Sequence, residues 1–338
     1  MPRHPDRLLG PDGPLVFPLG IGTMSFTPFY GPVTEDEAFA ILDAAMDHGI
    51  NHLDSANIYG SGLAETIIGR YIARNGASAR EFFSIATKAG FDRENGNSVI
   101  KNDAAHLTEQ LDGSLQRLGV EQVDLFYIHR RDPAIPIEDV AGTLKGFVEA
   151  GKIRGFGFSE IAPSSLHKAQ AVHPVAAIQS EYSLSSRNPD LGMVQATKAL
   201  GATMVAFSPV GRSLLTDRPI SGDRVNDLPF LSVNPRFSPD NLPANIAAAA
   251  GFRALAADMG MPSARLAIAW LLHQGDHVLP IPGTRSLDHF MEMVPAAEVM
   301  LGADDLAAID QVLPPGWAYG DRYSCLLYTS DAADDLVG

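Results

Sequence analysis

The stretch VDLFYIHRRDPAIPIEDVAGTLKGFVEAGKIRGFGFSE (123–160) decides the fold. It contains two runs, VDLFYIH (123–129) and IRGFGFS (153–159), that are apolar at nearly every position, as expected of strands buried on both faces. Between them, 137–150 reads as a helix. A strand, a helix and a second strand in so short a span are the repeating unit of a parallel α/β architecture.

Outward from this unit the same rhythm continues in both directions. Further strand candidates are LGIGT (19–23), NHLD (51–54), FFSIATK (82–88), AAIQS (176–180), TMVAFS (203–208) and VLPIP (278–282). Helical patterns fall near 34–48, 64–74, 103–118, 163–172, 190–200, 245–258, 263–273 and 286–294. The first opens on Thr34-Glu35-Asp36-Glu37, a capping box, with Ala38, Ile41, Leu42 and Ala45 on one face. Eight strands, each followed by a helix, imply an α/β fold of the closed (β/α)8 (TIM) barrel type, with an N-terminal hairpin ahead of it. The G-x-G-x-x-G fingerprint of open dinucleotide-binding sheets follows none of the strands. The Pro/Asp/Asn-rich segment 209–244, after the seventh strand, is too long for a plain connection and reads as a binding loop or lid. The barrel is expected to occupy 1–324. The segment CLLYTSDAADD (325–335) resembles the translated read-through of a sequencing-library adapter, so 325–338 is expected to be non-native.

Composition narrows the partners. Net charge is 25 − 40 = −15, which repels nucleic acid and anionic membranes at long range. No run approaches the ~18 apolar residues that a membrane span requires. The proline-broken start MPRHPDRLLGPDGPLVF lacks the apolar core of a signal peptide, so a cytoplasmic location is expected. A single cysteine, Cys325, excludes an intrachain disulfide, and no histidine spacing implies a metal site.

In a parallel barrel the C-terminal strand ends converge on one mouth. Asp54, Lys88 and His129 end successive strands there, and Tyr59 lies five residues beyond Asp54. Each has an ordinary reading alone: a turn former, a solvent-seeking lysine, a satisfied core histidine, a half-buried loop aromatic. Together they read as a proton-donating site. A tyrosine with pKa ~10 is a poor acid at neutral pH, and an adjacent ammonium lowers that value. A carboxylate keeps the lysine charged, and a histidine can bond the carbonyl oxygen that takes the proton.

At this point the chain resembles the aldo-keto reductases, over roughly 15–324. The motifs carrying the resemblance are HLDSANIYGSGLAETIIGR (52–70), IATKAG (85–90), VDLFYIHRRDPAIPIED (123–139), GKIRGFGFSE (151–160), IQSEYSL (178–184), VAFSPVGRSLL (205–215) and LPIPGTRSLD (279–288). The pattern is similar to a microbial subgroup of general aldehyde and pyridoxal reductase-like members. The resemblance implies that Asp54, Tyr59, Lys88 and His129 form a catalytic tetrad, and that NADP(H) lies extended across the mouth. Gly22, Thr23 and Met24 would then line the cofactor, with Ser159 and Gln179 on the carboxamide and Phe207 stacked on the nicotinamide. Ser208, Pro209, Val210, Gly211 and Arg212 would wrap the pyrophosphate.

Gly283, Thr284 and Arg285 would begin a helix whose free N–H groups suit a phosphate. Arg285, with His289 when protonated, would favour the NADP 2′-phosphate, and Glu292 would contact adenine. The chain departs from the family pattern at Glu160, often asparagine but still able to accept from the carboxamide, and at Met293 and Ser213. The substrate expected is a small aldehyde or ketone; oligomeric state is not legible. Two rivals carry different chemistry: a Schiff-base aldolase acting through Lys88, and a non-catalytic NADP-binding redox sensor.

Overall fold

The computed structural model describes residues 3–94 and 97–323. Eight parallel strands form its centre: β1 (Ile21–Gly22), β2 (His52–Asp54), β3 (Ser84–Ala89), β4 (Val123–Ile128), β5 (Ile153–Ser159), β6 (Ala177–Glu181), β7 (Thr203–Phe207) and β8 (Val278–Pro280). They hydrogen-bond in sequence order from β1 to β8. The seam between β1 and β8 is closed by Gly20 N donating to the Pro280 carbonyl at 3.0 Å and Gly22 N to the Pro282 carbonyl at 3.0 Å. Proline can only accept in such a ladder, and the glycines opposite permit close approach of the two backbones. A Cβ on Gly283 would lie 2.6 Å from the Gly22 carbonyl oxygen.

Helices alternate with the strands as the apolar periodicity predicts. The first, α1 (Glu35–Asp47), begins with the expected capping box: the Thr34 hydroxyl accepts from Glu37 N, and the Glu37 carboxylate accepts from Thr34 N at 2.7 Å. The next, α2 (Leu63–Asn75), follows the loop after β2. The expected hairpin pairs Arg7–Leu8 with Leu15–Val16. Its Leu9 and Val16 pack against Ala86, Leu125, Val205 and Leu279 of the barrel interior, and Gly10 N donates to the Thr203 hydroxyl at the start of β7. The hairpin therefore plugs the N-terminal end and leaves the C-terminal end for chemistry.

The barrel wall tolerates no added atom at Gly157, where a Cβ would fall 2.3 Å from the Ala177 carbonyl oxygen and 2.7 Å from the Tyr127 ring. Gly157→Ala is expected to cost about 1–3 kcal/mol by overpacking. Equilibrium denaturation reads this directly, and an unchanged midpoint would contradict the tight interstrand contact.

The structure corrects several boundaries. Residues 209–244 are not a bare loop: short helices at Gly222–Asn226 and Pro229–Ser232 enclose a satellite core of Leu214, Val225, Leu228, Leu231, Phe237 and Leu242. The expected helix at 245–258 is two helices, Asn241–Ala248 and Ala250–Asp258. A two-stranded ribbon (Phe91–Glu94 with Asn97–Ile100) and helices at Ala77–Phe82 and Ala303–Val312 have no counterpart among the sequence expectations. Gly283, Thr284 and Arg285 do not begin the helix after β8. That helix runs Leu287–Met293 with Ser286 as its cap, because the Ser286 hydroxyl accepts from His289 N while Thr284 holds Ser286 N. Cys325 and the suspect tail 325–338 lie outside the described residues.

Candidate active site

Register carries the first part of the site. Gly22 pairs with Asp54 and Asp54 with Ala86, so the ends of β1 and β2 stand level with each other while β3 runs on past them through Lys88 to Ala89, and Gln179 pairs with Ser159 across β6 and β5. The loop after β2 hangs on β3: Ser55 N donates to the Ala86 carbonyl at 2.8 Å and Asn57 N to the Lys88 carbonyl at 3.1 Å. Tyr59 follows, and the chain turns into α2 through Gly60, Ser61 and Gly62, all at positive φ. Ser61 pays for this backbone shape, since left-handed geometry is unfavourable for a residue with a Cβ.

Four dispersed residues thereby meet. Lys88 Nζ forms a buried ion pair with Asp54 Oδ1, donates to the Ser55 carbonyl at 2.8 Å, and lies 3.4 Å from the Tyr59 hydroxyl. Gln179 Nε2 donates to the other Asp54 oxygen at 2.8 Å, and the Thr23 hydroxyl donates to the Asp54 carbonyl. The His129 ring meets the Tyr59 ring edge-on with centroids 5.9 Å apart, and Phe91 packs on its other side at 5.1 Å. His129 Nδ1 is buried without a hydrogen-bond partner among the described residues.

The electrostatics assign protonation states. Burial, the largest influence on Lys88, disfavours its charge, but Asp54 and Tyr59 outweigh it and hold the pKa above the ordinary lysine value. Burial, then Lys88 and Arg130, push His129 well below the usual histidine range, so its imidazole is neutral. Tyr59 departs from the sequence expectation. Burial raises its pKa more than the Lys88 ammonium lowers it, so the phenol is protonated across the neutral range.

The residues expected to hold a cofactor divide into two groups. Gly22, Thr23, Ser159, Gln179 and Phe207 sit at the ends of β1, β5, β6 and β7 around the four residues above, with Met24 in the 3-10 turn after β1. Phe207 is half-buried against the barrel-interior cluster. In the loop after β7, Ser208, Gly211, Arg212 and Ser213 all take positive φ, with Pro209 and Val210 among them. A Cβ on Gly211 would meet the Ser185 hydroxyl at 2.8 Å. Backbone of this shape turns successive N–H groups into a concavity suited to an anion. At the other extreme, Arg285 donates to the Pro32 carbonyl at 2.6 Å in a cleft shared with Glu37 and Asp288. His289 is exposed nearby, Glu292 is half-buried, and Met293 is buried in the core rather than facing a ligand.

Sequence reading missed a buried charge cluster at the mouth. Glu181, at the end of β6, pairs with Arg212 at 2.8 Å and with Arg236 at 3.6 Å. Glu160 pairs with Arg322 and accepts from Glu181 N at 2.7 Å. Asn234 Nδ2 donates to the Arg322 carbonyl at 2.7 Å, and Arg212 stacks near the rings of Phe230 and Tyr323. Glu160 thus turns toward Arg322 and the β6 backbone, and Arg212 toward Glu181. Glu181 in IQSEYSL was the one available signal, a charge closing an otherwise apolar strand; the arginines lie 31 to 141 residues away along the chain and carry none.

A closed parallel barrel with a lysine–carboxylate pair, a phenol and a neutral imidazole at its C-terminal mouth is an architecture for proton transfer at a carbonyl. The aldo/keto reductase family profile matches residues 18–314. The aldo-keto reductase yakc of Schizosaccharomyces pombe, whose name carries NADP(+), is 36% identical over 324 residues, with 94% of each chain covered. The aldo-keto reductase str7 of Strobilurus tenacellus is 36% identical over 327 residues, again with 94% of each covered. Among solved structures, a glycerol dehydrogenase from Gluconobacter oxydans superposes with a TM-score of 0.80 at 27% identity, covering 93% of this chain and 96% of that one. An aldo-keto reductase from Bacillus halodurans in its holo form superposes with a TM-score of 0.76 at 25% identity, covering 95% and 99%. The chain belongs to the aldo/keto reductase family and is an oxidoreductase. No helix among the described residues is long and apolar enough to cross a membrane.

Proposed function

We propose that this protein reduces aldehydes and ketones to alcohols with NADPH, and that Tyr59 is the proton donor. The observation carrying the reading is the position of Lys88 Nζ, ion-paired to Asp54 and 3.4 Å from the Tyr59 hydroxyl. The name of the NADP(+) relative supports the cofactor. So does the fit of this chain's residues: the orphaned imidazole nitrogen of His129, the strained loop after β7 and the half-buried face of Phe207.

NADPH, when bound, supplies the hydride for the carbonyl carbon. Tyr59 donates its proton to the carbonyl oxygen, and Lys88 stabilises the phenolate left behind. Asp54 keeps Lys88 charged and is itself aimed by Gln179. Neutral His129 offers an N–H to the same carbonyl oxygen and so orients it. Ser159 accepts from Arg130 at 3.1 Å, which leaves its own O–H free to donate to a carboxamide oxygen. Gln179 spends one amide hydrogen on Asp54 and keeps its carbonyl oxygen for the carboxamide N–H. Ser208 to Arg212 would cradle the pyrophosphate through the backbone of their loop, and Thr284, Arg285 and His289 would hold the 2′-phosphate end.

The raised pKa of Lys88 speaks against Schiff-base chemistry, which needs a neutral amine. The test is NADPH and NADH oxidation with a panel of aromatic and aliphatic aldehydes. Turnover is expected with NADPH in preference to NADH. Negligible turnover with every aldehyde would favour the sensor reading, and a borohydride-trapped lysine adduct the aldolase one.

A further inference from the structure

The mouth carries more positive charge than the proton-transfer chemistry uses. Among the described residues, Arg212, Arg236 and Arg322 form ion pairs with Glu160 and Glu181, and Asp321 adds a further negative charge acting on Arg236, within a protein whose overall charge is −15. Arg130 adds a further cation and is placed differently. It immediately follows His129 at the end of β4, and its Nη1 donates to the His129 carbonyl at 2.6 Å and to the Ser159 hydroxyl at 3.1 Å. Both acceptors are neutral. Its charge helps to hold down the pKa of Glu160, but among the described residues no carboxylate lies within ion-pair distance of Arg130, and the hydrogen bonds it makes there run from Nη1.

Anchoring one nitrogen while leaving the others unused gives a fixed guanidinium with a free edge, the geometry that receives a carboxylate. Lysine could not reproduce this fork. The position also separates Arg130 from the pyrophosphate loop, since Arg130 is tied to the ends of β4 and β5 while that loop follows β7, with β6 between. Arg130 is instead beside the reacting centre, one residue from the imidazole that meets the Tyr59 ring.

We propose that Arg130 determines substrate specificity by binding a carboxylate on the carbonyl compound being reduced, so that the preferred substrates are oxo-acids rather than neutral aldehydes. The proposal rests on the reductase reading above. The substrate carboxylate takes no part in bond making or breaking; it holds the carbonyl in register with Tyr59 and His129. Apolar surface for the rest of such a substrate is close by, in the edge-packed rings of Phe29, Tyr30, Phe230 and Tyr323.

The experiment compares kcat/KM for 4-carboxybenzaldehyde and benzaldehyde at saturating NADPH, in the unaltered enzyme, Arg130→Met and Arg130→Lys, with the Kd for NADPH measured by fluorescence titration. The unaltered enzyme is expected to prefer the carboxylated aldehyde. Arg130→Met should lower the ratio of the two kcat/KM values by about 10–100-fold, the scale of a charge-assisted hydrogen-bonded pair, and Arg130→Lys should restore part of it. A merely structural role would slow both aldehydes alike and leave the ratio in place, which overturns the proposal. A preference of the unaltered enzyme for benzaldehyde also overturns it, as does a tenfold rise in the NADPH Kd with the ratio unchanged. If the unaltered enzyme reduces neither aldehyde nor any other in the panel, the reductase reading itself has failed.

Discussion

Tyr59→Phe is expected to fold, to bind NADPH with unchanged affinity and to lose about 10²–10⁴-fold in kcat, the usual worth of a positioned general acid. The substitution removes one oxygen and nothing else. The ring keeps its edge-on contact with His129 and its place 5.1 Å from Lys88 Nζ, so packing gives no reason for a stability change. The phenol also matters for its protonation state. Burial holds its pKa above the ordinary tyrosine value, and the proton is therefore present at neutral pH and available for transfer. Steady-state kinetics with a good aldehyde, circular dichroism and a cofactor titration read the three parts separately. A kcat within threefold of the unaltered enzyme would remove Tyr59 from the chemistry.

Lys88→Met is expected to harm both activity and stability. Its ammonium is fully buried and is held by Asp54, the Ser55 carbonyl and Tyr59. Removing it deprives the Tyr59 phenolate of its counter-charge and leaves the Asp54 carboxylate buried, with Gln179 as its remaining hydrogen-bond donor among the described residues. Breaking one side of a buried ion pair costs about 3–5 kcal/mol, more than either residue's net contribution when the pair is intact. Equilibrium denaturation should show that loss. The double variant Lys88→Met/Asp54→Asn should recover part of the stability, because the stranded charge is gone, while activity stays absent. If Lys88→Met unfolds at the same denaturant concentration as the unaltered protein, the ion pair is not what the geometry indicates.

Neither effect could be sized from the sequence, although the participants could be named. Asp54, Lys88 and His129 were legible because short apolar runs end at or beside them, and a parallel barrel brings such ends to one rim. Tyr59 depended on the family motif, since a loop tyrosine has no periodicity to mark it. The level of the ends of β1 and β2 against β3 came from interstrand register, and the direction of the Tyr59 pKa shift came from burial, neither of which is written in spacing.

Local chemistry alone determined the alternation of strands and helices, the capping box at Thr34 and the placing of Asp54, Lys88 and His129 at strand ends. These follow from backbone propensity and apolar periodicity, which act between near neighbours. Tertiary structure alone decided that Glu160 turns to Arg322, that Arg212 answers Glu181, that Gly283 to Arg285 precede a helix instead of opening it, and that Arg130 forms no ion pair among the described residues but bonds the His129 carbonyl and the Ser159 hydroxyl. Those outcomes depend on which charges from distant segments are buried together, and the energy of a buried charge is set by partners the linear chain does not place beside it.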